Sequence, residues 1–324
     1  EFYDSGSVTV SGSKLRCWKA GGHGHQTFLQ VFENSCNPGF VKMGFLLGKN
    51  KLFDYIKLFG FGEKTGIDLN GEGKGIIFDI GDVNDLELST TAFGQGVSVT
   101  PIQQITAVSS IVNGGNLYKP YIMKSILDSK TGNIYQENEK TLVRKTISES
   151  TTKTMRIALE SVVARGGGKV TYIDGYRVGG KTGTAQKVEN GRYLENNYIM
   201  SFMAVLPSND PKVVLYLAID NPKKTALLSS YTTTPFVRKI LLDMINILDI
   251  KKQPDQALKD YEWMDKKYYE VPNVVGMTRK EAKKVLSNFE IEFAGDGDTV
   301  VEQSPSAGTR YYETGVVKLL LGNR

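Results

Sequence analysis

The chain has 324 residues, of which 40% are hydrophobic and 23% charged, and its net charge is +5. These values are typical of a globular protein with a sizeable core. The sequence contains no run of about 18 apolar residues that would span a membrane, and no basic run interleaved with aromatic residues that would indicate a nucleic-acid ligand. It opens at Glu1 without an initiator Met or a signal peptide, so we expect it to be a fragment of a longer chain.

The first part of the chain predicts a hairpin followed by helices. Residues Glu1 to Lys19 alternate as strands do, with Gly12 and Ser13 in the turn. From Gln26 onward, apolar spacing predicts helices on either side of a break at Asn37-Pro38. Capping residues and glycine stops predict three more helices, in the segments NKLFDYIKLFGFG, TPIQQITAVSSIVNGG and SESTTKTMRIALESVVARGGG.

Strands then dominate as far as a closing helix. We expect three strands and then the helix, at Tyr172 to Gln186, Tyr198 to Leu206, Lys212 to Ile219, and Pro235 to Leu248. The charged stretch after this helix has no clear core face and predicts a linker over residues 250–269. Residues 1–249 are therefore predicted to form one domain.

Residues 270–324 predict a small separate domain. Thr278 and Glu281 match a capping box at the start of a helix that runs to about Phe289. Two strands are expected after this helix, near Thr299 to Gln303 and Val316 to Leu321. A unit of about 50 residues has a small core, so this domain should be only modestly stable alone.

The tripeptide Lys-Thr-Gly occurs three times in the chain. The copies that begin at Lys64 and Lys130 fit a loop and a hairpin turn. The copy at Lys181 follows two glycines and lies on a predicted strand, so we interpret it as the functional one. A second short element, Ser35-Cys36-Asn37, lies at the break between two predicted helices.

The residues around Lys181 suit a site for an extended, anionic ligand. Gly183 has no side chain, which lets a peptide lie against the strand edge as an added strand. Thr182 and Thr184 alternate with this glycine, so their hydroxyls share one face. Lys181 adds a positive charge for an anionic end of the substrate.

Four segments occur in an order that resembles a known family, namely ENSCNPGF, FGFGEKTGIDLNGEGKG, TTAFGQGVSVTPIQQ and GGKTGTAQ. They resemble class B penicillin-binding proteins, which are peptidoglycan D,D-transpeptidases, and the tail VPNVVGM…VVEQSPSAG resembles a PASTA domain. The resemblance implies an α/β (α+β) fold class. We expect residues 1–249 to form the transpeptidase fold, which is an antiparallel sheet flanked by helices, and we expect this domain to lack its N-terminal part. Residues 270–324 are expected to form a small α+β PASTA domain.

The resemblance also implies substrates, partners and a location. The parent protein would cross-link stem peptides ending in D-Ala-D-Ala through a serine acyl-enzyme, would bind β-lactams, and would need no cofactor for catalysis. It would lie on the extracytoplasmic face of the membrane, anchored by an N-terminal helix absent from this chain, beside a membrane glycan polymerase. The segments EFYDSGSV and CWKAGGHGHQ resemble sporulation members of the family, which implies a role in spore cortex synthesis, although division transpeptidases share most of the pattern.

Roles for individual residues follow from the resemblance alone. Ser35 would relay a proton between the nucleophile's lysine and the leaving group, and Asn37 would bind the substrate backbone. Lys181 would tune the electrostatic field around Ser35. Thr182 and Thr184 would hold the terminal carboxylate, and the backbone N–H of Thr184 would contribute to the oxyanion hole.

The nucleophile of this family is a serine three residues before a lysine, and it precedes Ser-x-Asn. Two such pairs occur here. Ser11–Lys14 lies in a glycine turn shortly before Ser35, and Ser150–Lys153 comes after Ser35 at a helix N-cap. We therefore expect the nucleophile to lie upstream of Glu1 and this fragment to be inactive alone.

Other classes of function remain open at the level of sequence. A β-lactamase or a β-lactam sensor would share the fold and the motifs Ser-x-x-Lys, Ser-x-Asn and Lys-Thr-Gly. The PASTA-like tail and the segment from AFGQG to VTPIQQ argue against both classes. A non-catalytic protein that uses its tail to bind wall polymer would also fit a chain without a nucleophile. Labelling of the full-length protein with penicillin would distinguish an enzyme from a non-catalytic wall-binding protein.

Both cysteines and both histidines fall in one short window, which suggests a structural zinc site. Cys17, His23 and His25 would supply three ligands, because His23 and His25 are two apart and would face the same way on an extended segment. The fourth ligand is expected to be Asp4, or Cys36 in its place. Two alternatives stay open: a glycine-rich surface loop with two solvated histidines and a buried thiol, and a Cys17–Cys36 disulfide. Between Ser35 and Asn37, Cys36 is itself interpreted as a small buried packing residue.

Overall fold

The computed structural model describes residues 1–189, 192–223, 229–259, 268–312 and 315–323. The chain divides into two compact units, residues 1–259 and 260–324. In the described part of the first unit, the helices are α1 (Phe28–Glu33), α2 (Asn37–Leu47), α3 (Lys49–Leu58), α4 (Asp85–Ala92), α5 (Pro101–Val112), α6 (Glu149–Ala164), α7 (Ser229–Thr232) and α8 (Thr234–Ile247). The strands are β1 (Phe2–Asp4), β2 (Ser7–Val10), β3 (Ser13–Arg16), β4 (Gly24–Gln26), β5 (Asn116–Tyr118), β6 (Ser125–Leu127), β7 (Ile134–Glu137), β8 (Leu142–Lys145), β9 (Gly179–Glu189), β10 (Arg192–Leu206) and β11 (Val213–Asp220).

The main sheet of the first unit is antiparallel, with the strand order β11–β10–β9. Strand β9 is an edge strand, and its register places Lys181 opposite Met203. A side chain at Gly180 would lie 2.4 Å from the Phe202 ring, so a glycine is required where β9 crosses the core. Helices α6 and α8 and the segment before β9 supply the rest of this core, which contains Val163, Ile173, Val178, Phe202, Ala204, Leu206, Val237, Leu241 and Ile245.

The three predicted strands of this sheet are present, with shifted ends. Strand β9 begins at Gly179 rather than Tyr172, because residues 169–171 form a 3-10 turn and Gly175 turns the chain with φ +81°. Strand β10 begins before the predicted Tyr198. Strand β11 and helix α8 lie within one residue of their predicted bounds.

The N-terminal part folds around two small antiparallel pairs. Strands β2 and β3 form the predicted hairpin, but Ser13 belongs to β3 and the turn lies at Ser11-Gly12. Strand β1 pairs with β4, which is distant in sequence. Thr27 caps α1, and the chain breaks at residues 34–36, so that Asn37-Pro38 begins α2 instead of interrupting a helix.

The end of the first unit folds back onto the turn that precedes β9. The side chain of Gln256 accepts from the N–H of Gly175 at 2.8 Å and donates to Ile173 O at 2.8 Å. The N–H of Ala257 donates to the buried Glu160 carboxylate at 2.9 Å. The predicted linker begins at residue 250, whereas these contacts hold residues up to 257 on the first unit, and residues 260–267 lie outside the described residues. The domain boundary therefore stays a prediction.

The second unit is a small α+β structure. Its described elements are β12 (Tyr268–Glu270), α9 (Arg279–Val285), β13 (Glu290–Ala294), β14 (Thr299–Ser304), β15 (Arg310–Tyr312) and β16 (Val316–Gly322). Strand β16 lies between β13, to which it is parallel, and β14, to which it is antiparallel. The capping box of Thr278 and Glu281 is present. The helix ends before the predicted Phe289, and the chain then forms β13, which the sequence did not predict.

Candidate active site

Ser35 lies in a tight turn between α1 and α2. Its φ of +51° is in the left-handed region, which a residue with a side chain rarely adopts and which costs about 1 kcal/mol. The N–H of Ser35 donates to Phe32 O at 3.3 Å, and the N–H of Cys36 donates to Val31 O at 3.1 Å. The turn therefore ends α1 and directs the side chains of Ser35 and Cys36 to different neighbours.

The hydroxyl of Ser35 meets the lysine of the third Lys-Thr-Gly. The Nζ of Lys181 donates to Ser35 Oγ at 2.7 Å and to Thr182 O at 3.2 Å, and it lies 5.9 Å from the centre of the Phe32 ring. Lys181 is partly buried. This burial lowers the pKa of Lys181 to about 8, because desolvation disfavours the charged form.

Strand β9 presents the rest of the motif along its edge. Thr182 and Thr184 pair with Phe202 and Met200 of β10, and Gly183 pairs with Ser201. A side chain at residue 183 would lie 2.5 Å from Ser201 Oγ, so it would fit only if the Ser201 hydroxyl turned away. The structure thus keeps the predicted alternation of residues 182 and 184 about the glycine.

The side chain of Gln95 contacts the motif strand, whereas that of Asn37 is bound elsewhere. The Nδ2 of Asn37 donates to Arg16 O at 3.0 Å, so this structure ties Asn37 to β3 and does not direct that nitrogen to Lys181. The Nε2 of Gln95 donates to Thr184 O at 3.4 Å. The contact between Gln95 and Thr184 was not predicted, because no sequence pattern places the AFGQG segment beside β9.

The two Ser-x-x-Lys pairs lie in local turns. Ser11 has φ +48° and is exposed in the turn between β2 and β3. Ser150 is exposed in the first turn of α6, where the N-cap is Ser148 and not Ser150 as predicted, because Ser148 Oγ accepts from the N–H of Thr151. The Lys130 copy of Lys-Thr-Gly forms the turn between β6 and β7, in agreement with the prediction.

Behind Ser35, a polar cluster is buried in the N-terminal core. The ligand atoms of Asp4, Cys17, His23 and Cys36 all lie within 4.8 Å of one another. The Oδ2 of Asp4 lies 2.9 Å from His23 Nδ1 and accepts from Cys36 Sγ at 3.2 Å, while Cys17 Sγ lies 3.4 Å from His23 Nδ1. Cys36 is buried, as the packing interpretation predicted, but its thiol also takes part in a polar cluster.

His25 does not join this cluster, so the structure does not bring it together with the other predicted metal ligands. Its exposed ring packs against Tyr3, with ring centres 4.9 Å apart. Gly22 and Gly24 both have positive φ, +77° and +69°, so residues 23 and 25 are not on one extended segment and face different ways. Cys36 is the fourth member of the cluster, and both cysteines are free thiols in this structure.

Hydrogen bonds within the cluster shift the pKa values of its carboxyl and thiol groups. Burial alone would raise the pKa of Asp4, but bonds from His23, Cys17, the N–H of Gly6 and Cys36 together hold it below its usual range. The bond with Cys17 lowers the pKa of Cys36 to about 7, while the pKa of Cys17 is raised. The lowered pKa makes the Cys36 thiol the easier of the two to deprotonate, and a deprotonated thiol is the form that binds metals.

Comparison with known proteins agrees with this geometry. The family model "penicillin binding protein transpeptidase domain" matches residues 1–242, and a PASTA domain matches residues 269–323. The chain belongs to the penicillin-binding transpeptidase family and carries a PASTA domain. This confirms the predicted family and fold class.

The similarity extends to particular relatives. The chain is 52% identical over 321 residues to stage V sporulation protein D of Bacillus subtilis, covering 99% of this chain and 50% of that protein. It is 31% identical to a peptidoglycan D,D-transpeptidase FtsI homologue of Mesostigma viride, covering 77% of this chain and 46% of the relative. The chain thus spans about half the length of these relatives.

Solved structures show the same fold. Penicillin-binding protein 3 of Mycobacterium tuberculosis, complexed with ampicillin, superposes with a TM-score of 0.72 at 25% identity, covering 81% of this chain and 60% of that one. A protein of Atopobium parvulum described as a peptidoglycan glycosyltransferase gives a TM-score of 0.68 at 27% identity, covering 78% of this chain and 58% of that one. In the described residues, no helix is both long and apolar enough to cross a membrane.

Proposed function

We propose that the whole protein is a serine D,D-transpeptidase that cross-links the stem peptides of peptidoglycan and is acylated by β-lactams. The observation that carries this proposal is the 2.7 Å contact between Lys181 Nζ and Ser35 Oγ at the edge of β9. The similarity to a D,D-transpeptidase and to a protein solved with ampicillin supports both classes of ligand.

The proposal gives each motif residue a role. Lys181 orients the Ser35 hydroxyl, which passes a proton between the nucleophile's lysine and the leaving amine. The hydroxyls of Thr182 and Thr184 hold the terminal carboxylate, and the Thr184 N–H stabilises the oxyanion. Asn37 binds the substrate backbone: its bond to Arg16 uses one amide hydrogen, and we assign the amide oxygen to a substrate N–H.

We further propose that the nucleophile lies outside the 324 residues. The turn position of Ser11 and the helix position of Ser150 support this, since each serine belongs to local turn or capping structure. The nucleophile of the proposed mechanism must instead begin a buried helix beside Lys181 and Ser35. This fragment would then be inactive alone while forming one wall of the active site.

The biological setting is also part of the proposal. Identity of 52% to a stage V sporulation protein supports a role in sporulation, specifically in building the spore cortex. Peptidoglycan is assembled outside the cell membrane, so the protein would act on the extracytoplasmic face, held by a membrane anchor. A membrane glycan polymerase would supply the glycan strands that it cross-links.

A zinc ion fits the cluster behind Ser35. Zinc bound tetrahedrally at about 2.0–2.3 Å separates its ligand atoms by about 3.3–3.8 Å. The three hydrogen-bonded pairs of the cluster are 2.9, 3.2 and 3.4 Å apart, and all of its ligand atoms lie within 4.8 Å of one another. Two thiols, an imidazole and a carboxylate are donors that zinc accepts. We propose that Asp4, Cys17, His23 and Cys36 hold a structural zinc, which would fix the turn that carries Ser35 and would take no part in catalysis.

Labelling of the full-length protein with a fluorescent penicillin tests the proposed activity. We expect a stable covalent adduct, and release of D-Ala from a stem peptide in the absence of drug. Rapid turnover of the penicillin would indicate a β-lactamase. An adduct without D-Ala release would indicate a β-lactam sensor. The absence of any adduct would favour a non-catalytic wall-binding protein.

A further inference from the structure

The left-handed turn at Ser35 is held from outside its own two helices. The last residue of α1, Glu33, is buried at 7% exposure. Its carboxylate Oε1 accepts from Arg165 Nε at 3.2 Å, and its backbone oxygen accepts from the N–H of Gly167 at 3.2 Å. Both the side chain and the main chain of Glu33 are therefore bound to the segment that follows α6.

The glycines after α6 are what permit this close approach. A side chain at Gly166 would lie 2.3 Å from the backbone oxygen of Glu33, so the residue must be glycine for the two segments to meet. A side chain at Gly167 would lie 3.5 Å from Thr182 Oγ1 on the other side. The loop 166–167 thus lies between the end of α1 and the motif strand β9, touching the backbone of Glu33 on one side and the side chain of Thr182 on the other.

Arg165 fixes the loop to α6 as well as to Glu33. Its N–H donates to Ser161 O at 2.7 Å and so closes the last turn of the helix. The ion pair with Glu33 then transmits the position of α6 to the turn that holds Ser35. A buried carboxylate needs such a partner, because an unpaired charge in the interior is strongly unfavourable.

We propose that Glu33 and Arg165 are positioning residues, whose ion pair holds the Ser35 turn at hydrogen-bonding distance from Lys181. The proposal rests on the function proposed for Ser35 and Lys181. Neither residue touches the reacting atoms. Loss of the pair lets the end of α1 move away from β9, and the 2.7 Å contact between Lys181 Nζ and Ser35 Oγ is lost.

The test measures acylation of the full-length protein by a fluorescent penicillin, resolved into a dissociation constant and an acylation rate constant. Arg165→Gln and Glu33→Gln are expected to slow acylation by about 10-fold to 100-fold, because small displacements of reacting groups have effects of this size. The dissociation constant should change little. Arg165→Lys, which retains the charge, should recover part of the rate.

Two comparisons separate positioning from general stability. In a Ser35→Ala background, Arg165→Gln should slow acylation no further, because its effect acts through Ser35. Arg156→Gln is the matched control: Arg156 also anchors α6, through a bond from its Nε to Val112 O at 2.7 Å, and should lower the melting temperature without changing the acylation rate.

The outcomes distinguish this inference from the function on which it rests. Failure of the wild-type protein to acylate would reject the proposed function. Normal wild-type acylation with unchanged rates in Arg165→Gln and Glu33→Gln would overturn the inference alone. Additive losses with Ser35→Ala would also overturn it, since they would mean that the pair acts on the fold in general. If Arg165→Gln does not fold, Glu33→Gln and Arg165→Lys carry the same comparison.

Discussion

Lys181 Nζ donates a hydrogen bond of 2.7 Å to Ser35 Oγ across 146 residues of sequence. Strand β9 delivers the lysine from the core sheet, and the left-handed turn between α1 and α2 delivers the serine. The contact places a cation whose pKa is lowered by burial beside a hydroxyl proposed to relay protons.

The contribution of Lys181 to acylation should fall as the pH rises through about 8. Burial lowers its pKa to about 8, so the charged form dominates below that pH and is lost above it. We expect the ratio of acylation rates between wild type and Lys181→Ala to be largest near pH 7 and to decline towards pH 9.5. A ratio that stays constant over this range would show that the charge of Lys181 plays no part.

Protein purified without chelator should contain about one zinc ion per chain, bound by the four residues of the cluster. Cys36→Ala and His23→Ala should lose the metal and lower the melting temperature. His25→Ala is the matched control and should keep the metal, because His25 packs against Tyr3 instead. Metal analysis with little zinc, or zinc lost equally in His25→Ala, would contradict the proposed ligands.

The 324-residue chain by itself should form no covalent adduct with penicillin. Ser11 and Ser150 lie in a hairpin turn and in the exposed first turn of α6, away from the burial that a nucleophile of this family requires. Intact-mass measurement after incubation with excess penicillin checks this. An added penicilloyl mass mapped to Ser11 or Ser150 would reject the assignment.

Limited proteolysis with trypsin should separate the two predicted domains by cutting after residue 257. Lys251 and Lys252 are expected to be spared, because Gln256 and Ala257 hold this stretch to the first unit. Mass spectrometry of the fragments locates the cuts. Early cleavage at Lys251 would support the linker predicted from sequence, which begins at residue 250. Early cleavage inside α9 would contradict the domain boundary.

Much of the core sheet could be predicted from sequence because its signals are local. Alternating and continuous apolar runs mark β10 and β11, and a Thr-Glu capping box marks α9. Helix α4 was not predicted: its segment DLELSTTA has no clear apolar stripe, and its main signal is the capping box of Asn84 and Glu87. Strand β13 was missed because it follows α9 almost directly.

The site was less predictable where long-range packing decides it. The motif residues Ser35 and Lys181 could be named from sequence, but their contact depends on how α1 packs against α6 and β9. The choice between His25 and Cys36 depended on the backbone at Gly22 and Gly24, whose positive φ values no periodicity reveals. The pairing of Glu33 with Arg165 is likewise invisible in sequence, because 132 residues separate them.

The most direct test of the account is the acylation of the full-length protein by a fluorescent penicillin, compared among wild type, Ser35→Ala, Lys181→Ala and Lys187→Ala. Lys187 lies on the same strand but pairs with the exposed Asp220, so it is the matched control. We predict that Ser35→Ala and Lys181→Ala slow acylation by about 100-fold or more, and that Lys187→Ala leaves it unchanged. Near-normal acylation in Ser35→Ala or Lys181→Ala would contradict the proposed active site.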